Sequence, residues 1–381
     1  MNKRDFLKLS GAAGLTAALG APASAADELT NITGDAVPIS VDERLARVEK
    51  AQRLMQQQGI DALLLEAGSA LIYFTGVRWW RSERYTGAII PADGDIAFVT
   101  PYFEEPSVRE SMTFGHDVRT WHEHENPFDL VAGILADRGL EGGKIGIEET
   151  VRHFIADGVA NAAPDFEVVS GKDIARGCRM YKSPVEIALM QKANDVTMAA
   201  YRHVYQNLDK DMAPSDISSM MSDATRALGG VPQFSSVLLN EASAYPHGTR
   251  QPQTLKEDGI ILMDCGCAVH DYESDISRTW VFGEASKKQR GVWDTVKRGQ
   301  EMAMETAMVG TPAEMFGQAA VATGTVTSAV RAVKVPVTPV KSPPPLMVTS
   351  RSMYSPGSQT PLEFAGLLAQ LSMPSWPTYV R

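Results

Sequence analysis

The sequence predicts an α/β unit followed by an α+β unit. From about residue 40 to 178, strand-like and helix-like runs alternate, the pattern of a sheet covered by helices. From 180 to about 318, long helical patterns bracket extended runs that read as antiparallel strands. A chain of 381 residues, 44% hydrophobic and 22% charged, can fill the cores of two such domains.

The first unit opens at Ser40-Val41-Asp42-Glu43, a capping-box pattern. Leu45, Val48, Ala51, Leu54 and Met55 follow at helical spacing, and Gly59 ends the helix. "DALLLEAG" and "SALIYFTGV" are predicted strands, and "GAIIPADGDIAFVTP" is a hairpin around Asp93-Gly94. A helix over about 129–139, the strand "KIGIEE", a helix near 151–162 and the strand "FEVVSG" complete the unit. The second unit starts at Ser183-Pro184-Val185-Glu186, with proline at the first helical position. "SDISSMMSDATRALGG" is a second helix, "QFSSVLLN" and Ile260 to Phe282 are extended, and a long helix follows over about Lys287–Val309.

Both ends differ in character. Residues 1–25 have a basic start, an apolar stretch and a small-residue site at Ala23-Ser24-Ala25, and Lys3-Arg4-Asp5-Phe6-Leu7-Lys8 resembles a twin-arginine signal. The expectation is export to a periplasm, with a mature chain beginning near Ala26 and no later membrane span. Residues 319–381 hold a single acidic residue, Glu363, and the run Pro343-Pro344-Pro345, so they are expected to form a disordered or poorly packed tail. The net charge of −10 argues against a nucleic-acid partner.

The chemistry concentrates in "MDCGCAVHDYESDISRTW". With a symmetric turn near Val269-His270, Asp264 falls directly opposite Asp275, their Cβ atoms about 4.5–5.5 Å apart. Two carboxylates so placed repel each other. Three outcomes stay open: a shared proton, a divalent cation between them, or an asymmetric turn that sends one aspartate to solvent. Cys265 and Cys267 have the opposite parity and read as buried small residues.

These residues, with "YKSPVEIALMQKA", "VPQFSSVLLNEASAYPHG" and "GTPAEMFGQAA", resemble the M24 pita-bread metallopeptidases: Xaa-Pro aminopeptidase, prolidase and the metal-free creatinase. The resemblance implies a pita-bread α+β catalytic domain after a creatinase-like α/β N-terminal domain. It also implies cleavage of a peptide bond before proline and a pair of divalent ions (manganese, cobalt or zinc). Asp264 and Asp275 match metal ligands, and His247 matches the histidine that meets substrate near the scissile bond. Two ions about 3.5–4 Å apart would activate a water and polarise the scissile carbonyl. The resemblance further implies a peptide or small-molecule substrate and a homodimer.

The family completes its site with one more histidine and two glutamates C-terminal to the aspartates. Here the last histidine is His270 and the tail offers only Glu363. The expectation is therefore weak metal retention and impaired turnover, with a reading-frame change, a truncation or a real divergence near Gln318 as the cause. Alternative activities are a creatinase-like or dimethylsulfoniopropionate-lyase-like reaction on a small non-peptide substrate, or a non-catalytic binding module. Lesser candidates are His122 and His124 on a possible strand, and Trp79-Trp80 among Arg78, Arg81 and Arg84. Arg278 is expected to pair with a nearby carboxylate.

Overall fold

The computed structural model describes residues 29–245, 247–315 and 317–318. The expected signal (1–25) and tail (319–381) lie outside the described residues. Two compact units are present: Val37–Ile187, and the residues up to Ala36 together with those from Ala188 onward.

In the first unit, helix α1 (Val41–Gln58) starts where the capping pattern predicts. Ser40 Oγ accepts from the Glu43 N–H at 3.1 Å, and Gly59 closes the helix in the left-handed region at φ 64°. Then come β1 (Ala62–Glu66), α2 (Ser69–Thr75), β2 (Gly87–Pro91), β3 (Ala97–Pro101), α3 (Glu105–Ser111), β4 (Asp117–Trp121), α4 (Pro127–Asp137), β5 (Gly143–Ile147), α5 (His153–Ala162), β6 (Phe166–Ser170) and α6 (Lys172–Arg179). The strands form one sheet in the order β4-β3-β2-β1-β5-β6. Only β2 runs antiparallel to its neighbours.

The apolar run of β1 is buried on both faces, as a central strand requires. Leu63 and Leu65 pack with Met55 and Phe74 on one side, while Leu64 packs with Ile134 and Val159 on the other. "SALIYFTGV" is helix α2 rather than a strand. Ala70, Leu71, Phe74 and Thr75 are its buried residues, a helical spacing, and Gly76 caps it at φ 79°. His122 and His124 lie in the turn after β4, not on a strand, with ring centroids 5.9 Å apart. Trp79 and Trp80 stack at 5.1 Å on a loop tied down by Arg81, which donates to the Ala67 carbonyl and to Thr150 Oγ1.

The second unit contains most of α7 (Pro184–Asn207), then α8 (Pro214–Ala227), β7 (Val231–Leu239), β8 (Gly259–Val269), the two-residue β9 (Tyr272–Glu273), β10 (Ile276–Phe282) and α9 (Lys287–Thr306). Its sheet runs β10-β8-β7, with β9 paired to β8, and every pairing is antiparallel. Among the described residues, no helix is long and apolar enough to cross a membrane.

Candidate active site

The hairpin between β8 and β10 turns at His270-Asp271, not at Val269-His270. Both turn residues are left-handed, at φ 46° and 69°, and Val269 pairs with Tyr272. Two successive positive φ values match a type I′ turn, whose twist suits an antiparallel hairpin. The register is therefore two residues away from the expected one, and Asp264 faces Ser277 rather than Asp275. The expectation of directly opposed aspartates is corrected to a diagonal pair.

A shift of two leaves every side chain on its own face of the sheet, so the carboxylates still meet. Asp264 stands near enough to Asp275 to act on its carboxyl. Burial first, and then the neighbouring Asp264 charge, push the Asp275 carboxyl above the usual range. Ser277 donates to Asp264 Oδ1 at 2.7 Å, which leaves the other carboxylate oxygen free of that bond.

The opposite face fixes this arrangement. Ser274 is buried, 2.7 Å from Thr197 Oγ1 of α7, and its Oγ accepts from the Cys267 N–H at 3.0 Å. With Ser274 pinned inward, Asp275 must turn outward. Ladder pairing lapses at Ser274 and Asp275, and Gly266 stands at the facing position. A Cβ at Gly266 would collide with the Ser274 carbonyl and the Phe234 ring, so only glycine allows the two backbones this close. Further along the inward face, the Tyr201 hydroxyl donates to the Ile276 carbonyl at 2.6 Å and lies 3.1 Å from that of Met263. Cys265 and Cys267 are buried free thiols on this side, as their parity predicts.

The outer face is open: Ser236, Glu273 and Ser277 are exposed and the two aspartates partly so. Although Glu273 is exposed as a whole, the partial desolvation of its carboxyl against the sheet, and then the Asp271 charge, raise that carboxyl as well. Among the described residues Arg278 does not make the expected carboxylate pair; its guanidinium donates to the Ser277 carbonyl and to Met198 Sδ, and burial lowers its pKa.

His247 sits elsewhere. It occupies an exposed turn and lines an open cleft of about 540 Å³ with Ser215, Ser218, Ser235, Arg250 and Gln253. Neither aspartate lines that cleft. Among the described residues, no three His, Cys, Asp or Glu side chains come together as a cation site would need. Among the described residues, the donors on this open face are the two aspartate carboxylates.

A hairpin that sets paired aspartates on the open face of an antiparallel sheet, after a separate α/β unit, defines a class. Residues 188–327 match metallopeptidase family M24, and residues 47–181 match the creatinase/prolidase N-terminal domain. The chain belongs to this metallopeptidase family. An uncharacterized peptidase of Schizosaccharomyces pombe is 31% identical over 261 residues, 64% of this chain and 56% of that protein. An Xaa-Pro dipeptidase of Pyrococcus furiosus is 24% identical over 271 residues, covering 70% of this chain and 74% of its own length. Among solved structures, a dipeptidase of Pyrococcus horikoshii superposes with a TM-score of 0.66 at 26% identity, covering 74% of this chain and 78% of that one. The chain thus spans a little over half of the yeast relative and about three quarters of the two archaeal ones.

Proposed function

We propose that this chain is a metal-dependent peptidase of the Xaa-Pro class, in which Asp264 and Asp275 hold a divalent cation and His247 meets the substrate. One observation carries the reading: two carboxyl groups converge on an open sheet face although they repel each other, and burial, then that neighbour, raise the Asp275 carboxyl. A cation between them would relieve the repulsion, and hard oxygen donors suit manganese and similar ions. The names of the relatives support the substrate class.

Two carboxylates alone hold a cation weakly, because affinity follows the number of donors and the closure of their geometry. Weak manganese binding and slow turnover are therefore expected. Calorimetric titration of the purified chain with Mn²⁺, alongside hydrolysis assays on Xaa-Pro dipeptides, tests this. Asp264→Asn and Asp275→Asn should each abolish measurable binding. Unchanged binding in both variants would sink the reading. Turnover of a small non-peptide substrate in place of peptides would move the chain to the creatinase-like alternative. Export belongs to the same proposal, and the intact mass of periplasmic protein, expected to begin near Ala26, checks it.

A further inference from the structure

The first unit holds a cavity of its own, of about 290 Å³, at the end of the sheet where β1 begins and β2 ends. Its walls include Asp61 just ahead of β1, Pro91, Ala92 and Asp93 at the close of β2, and Arg138 and Leu140 after α4. Both signs of charge therefore border one small space, beside an apolar patch. Sites for drug-sized ligands run from about 300 to 1,000 Å³, so this one suits a smaller molecule.

The charged groups are fixed in place by the fold. Arg138 donates to the Asp95 carbonyl through Nε at 3.2 Å and Nη2 at 3.0 Å, and to Asp117 Oδ2 through Nη2 at 2.9 Å. Its other amino group, Nη1, has no partner among the described residues. Asp61 Oδ2 accepts from the Lys144 N–H at 2.7 Å, and the Asp61 N–H donates to the Lys144 carbonyl at 2.9 Å. A Cβ at Gly143 would collide with this carboxylate, so the glycine is what leaves room for it. Among the described residues, Asp61 Oδ1 and both Asp93 oxygens accept no hydrogen bond, and neither carboxylate forms an ion pair with Arg138. An open donor and open acceptors thus line the same space without neutralising each other.

We propose that this cavity binds a free α-amino acid. Its carboxylate sits on Arg138 Nη1, its ammonium on Asp61 and Asp93, and a small aliphatic side chain on Pro91, Ala92 and Leu140. A ligand with a single charge leaves half of the site unmet: a simple anion is repelled by two carboxylates, and a simple amine leaves the guanidinium donor unpaired. A dipeptide sets its two charges apart by one more residue, about 3.5 Å of chain, and needs more room. Because Arg138 and Asp61 are already held by their own hydrogen bonds, binding orders little that was loose. The site stands without the peptidase reading, which would supply only a source, since cleaving a dipeptide releases free amino acids.

The test is an NMR titration of the full chain, in metal-free buffer, with L-valine, valinamide and N-acetylvaline, following the Ala92 and Leu140 amides. Valinamide lacks the carboxylate and N-acetylvaline the ammonium, and each should bind at least about tenfold more weakly than valine, the effect of one lost charge-assisted bond. Asp93→Asn keeps a residue that suits the turn before Gly94. It should weaken valine and valinamide about threefold, the scale of an exposed ion pair, and leave N-acetylvaline unchanged. Arg138→Lys keeps the charge but not the planar fork, and should weaken valine and N-acetylvaline while sparing valinamide. Valinamide binding as tightly as valine, or valine affinity unchanged in both variants, would overturn the proposal. So would valine shifts confined to residues outside this cavity. The two readings fail separately: the Asp264→Asn/Asp275→Asn chain should lose Mn²⁺ binding and keep the valine shifts at Ala92 and Leu140, and loss of those shifts there would also overturn it.

Discussion

Gly266 stands opposite Asp275, and the missing side chain at the glycine is what lets the aspartate's backbone close on β8. Gly266→Ala should therefore cost roughly 1–3 kcal/mol, the range for forcing atoms into a packed site. Chemical denaturation measures the cost. If the carboxylates depend on this approach, the same variant should also weaken Mn²⁺ binding.

The aspartates themselves oppose folding when no cation is present. Asp275→Asn should raise the melting temperature of the metal-free chain at pH 7 by about 2 °C, since it ends the desolvation of a charge and its repulsion with Asp264. Added Mn²⁺ should raise the melting temperature of the unaltered chain and leave the variant's unchanged, because only a ligand of the folded state stabilises it. Differential scanning fluorimetry with and without the ion reads both effects.

Tyr201 braces the hairpin from the inward side through the Ile276 and Met263 carbonyls. Tyr201→Phe should destabilise by about 1–2 kcal/mol, because a buried carbonyl loses its donor. Peptide binding in the His247 cleft should not change, since Tyr201 does not line it.

In the first unit, Asp117 accepts from Arg119 and Arg138, and those guanidinium groups hold its carboxyl below the usual carboxylate range against the opposing effect of burial. A lowered folded-state pKa means stabilisation that is present above the unfolded value, about 4, and lost as the pH falls through the lower folded value. Asp117→Asn should thus lower the melting temperature at pH 7. As the pH falls through that lower folded value, the gap between the variant and the unaltered chain should close. A gap unchanged by acid would assign the effect to packing.

How much was legible depended on which signal each segment carried. Capping at Ser40, the Gly59 stop and the Asp93-Gly94 hairpin are local chemistry, and the structure follows them. "SALIYFTGV" misled because aromatic and β-branched residues favour strands, whereas the glycines at both ends and the spacing of Leu71, Phe74 and Thr75 decide for a helix. The turn at His270-Asp271 was missed for a related reason. Left-handed turns announce themselves through Asn-Gly or Asp-Gly, and a histidine in the first position gives little warning. The resulting register error was an even number, so the facing of Asp264 and Asp275 was read correctly while their partners were not. Of the cleft beside His247 only that histidine had a sequence signal, because the other walls come from segments that only folding brings together.

The tip at His270-Asp271 also works as a parity gate on change in this hairpin. Insertions or deletions of two residues there would slide the arms yet keep both acids toward the solvent. A change of one residue would drive an aspartate into the space that Ser274 now fills beside Thr197. Length drift at this loop should therefore proceed in pairs in any lineage that keeps the acidic face.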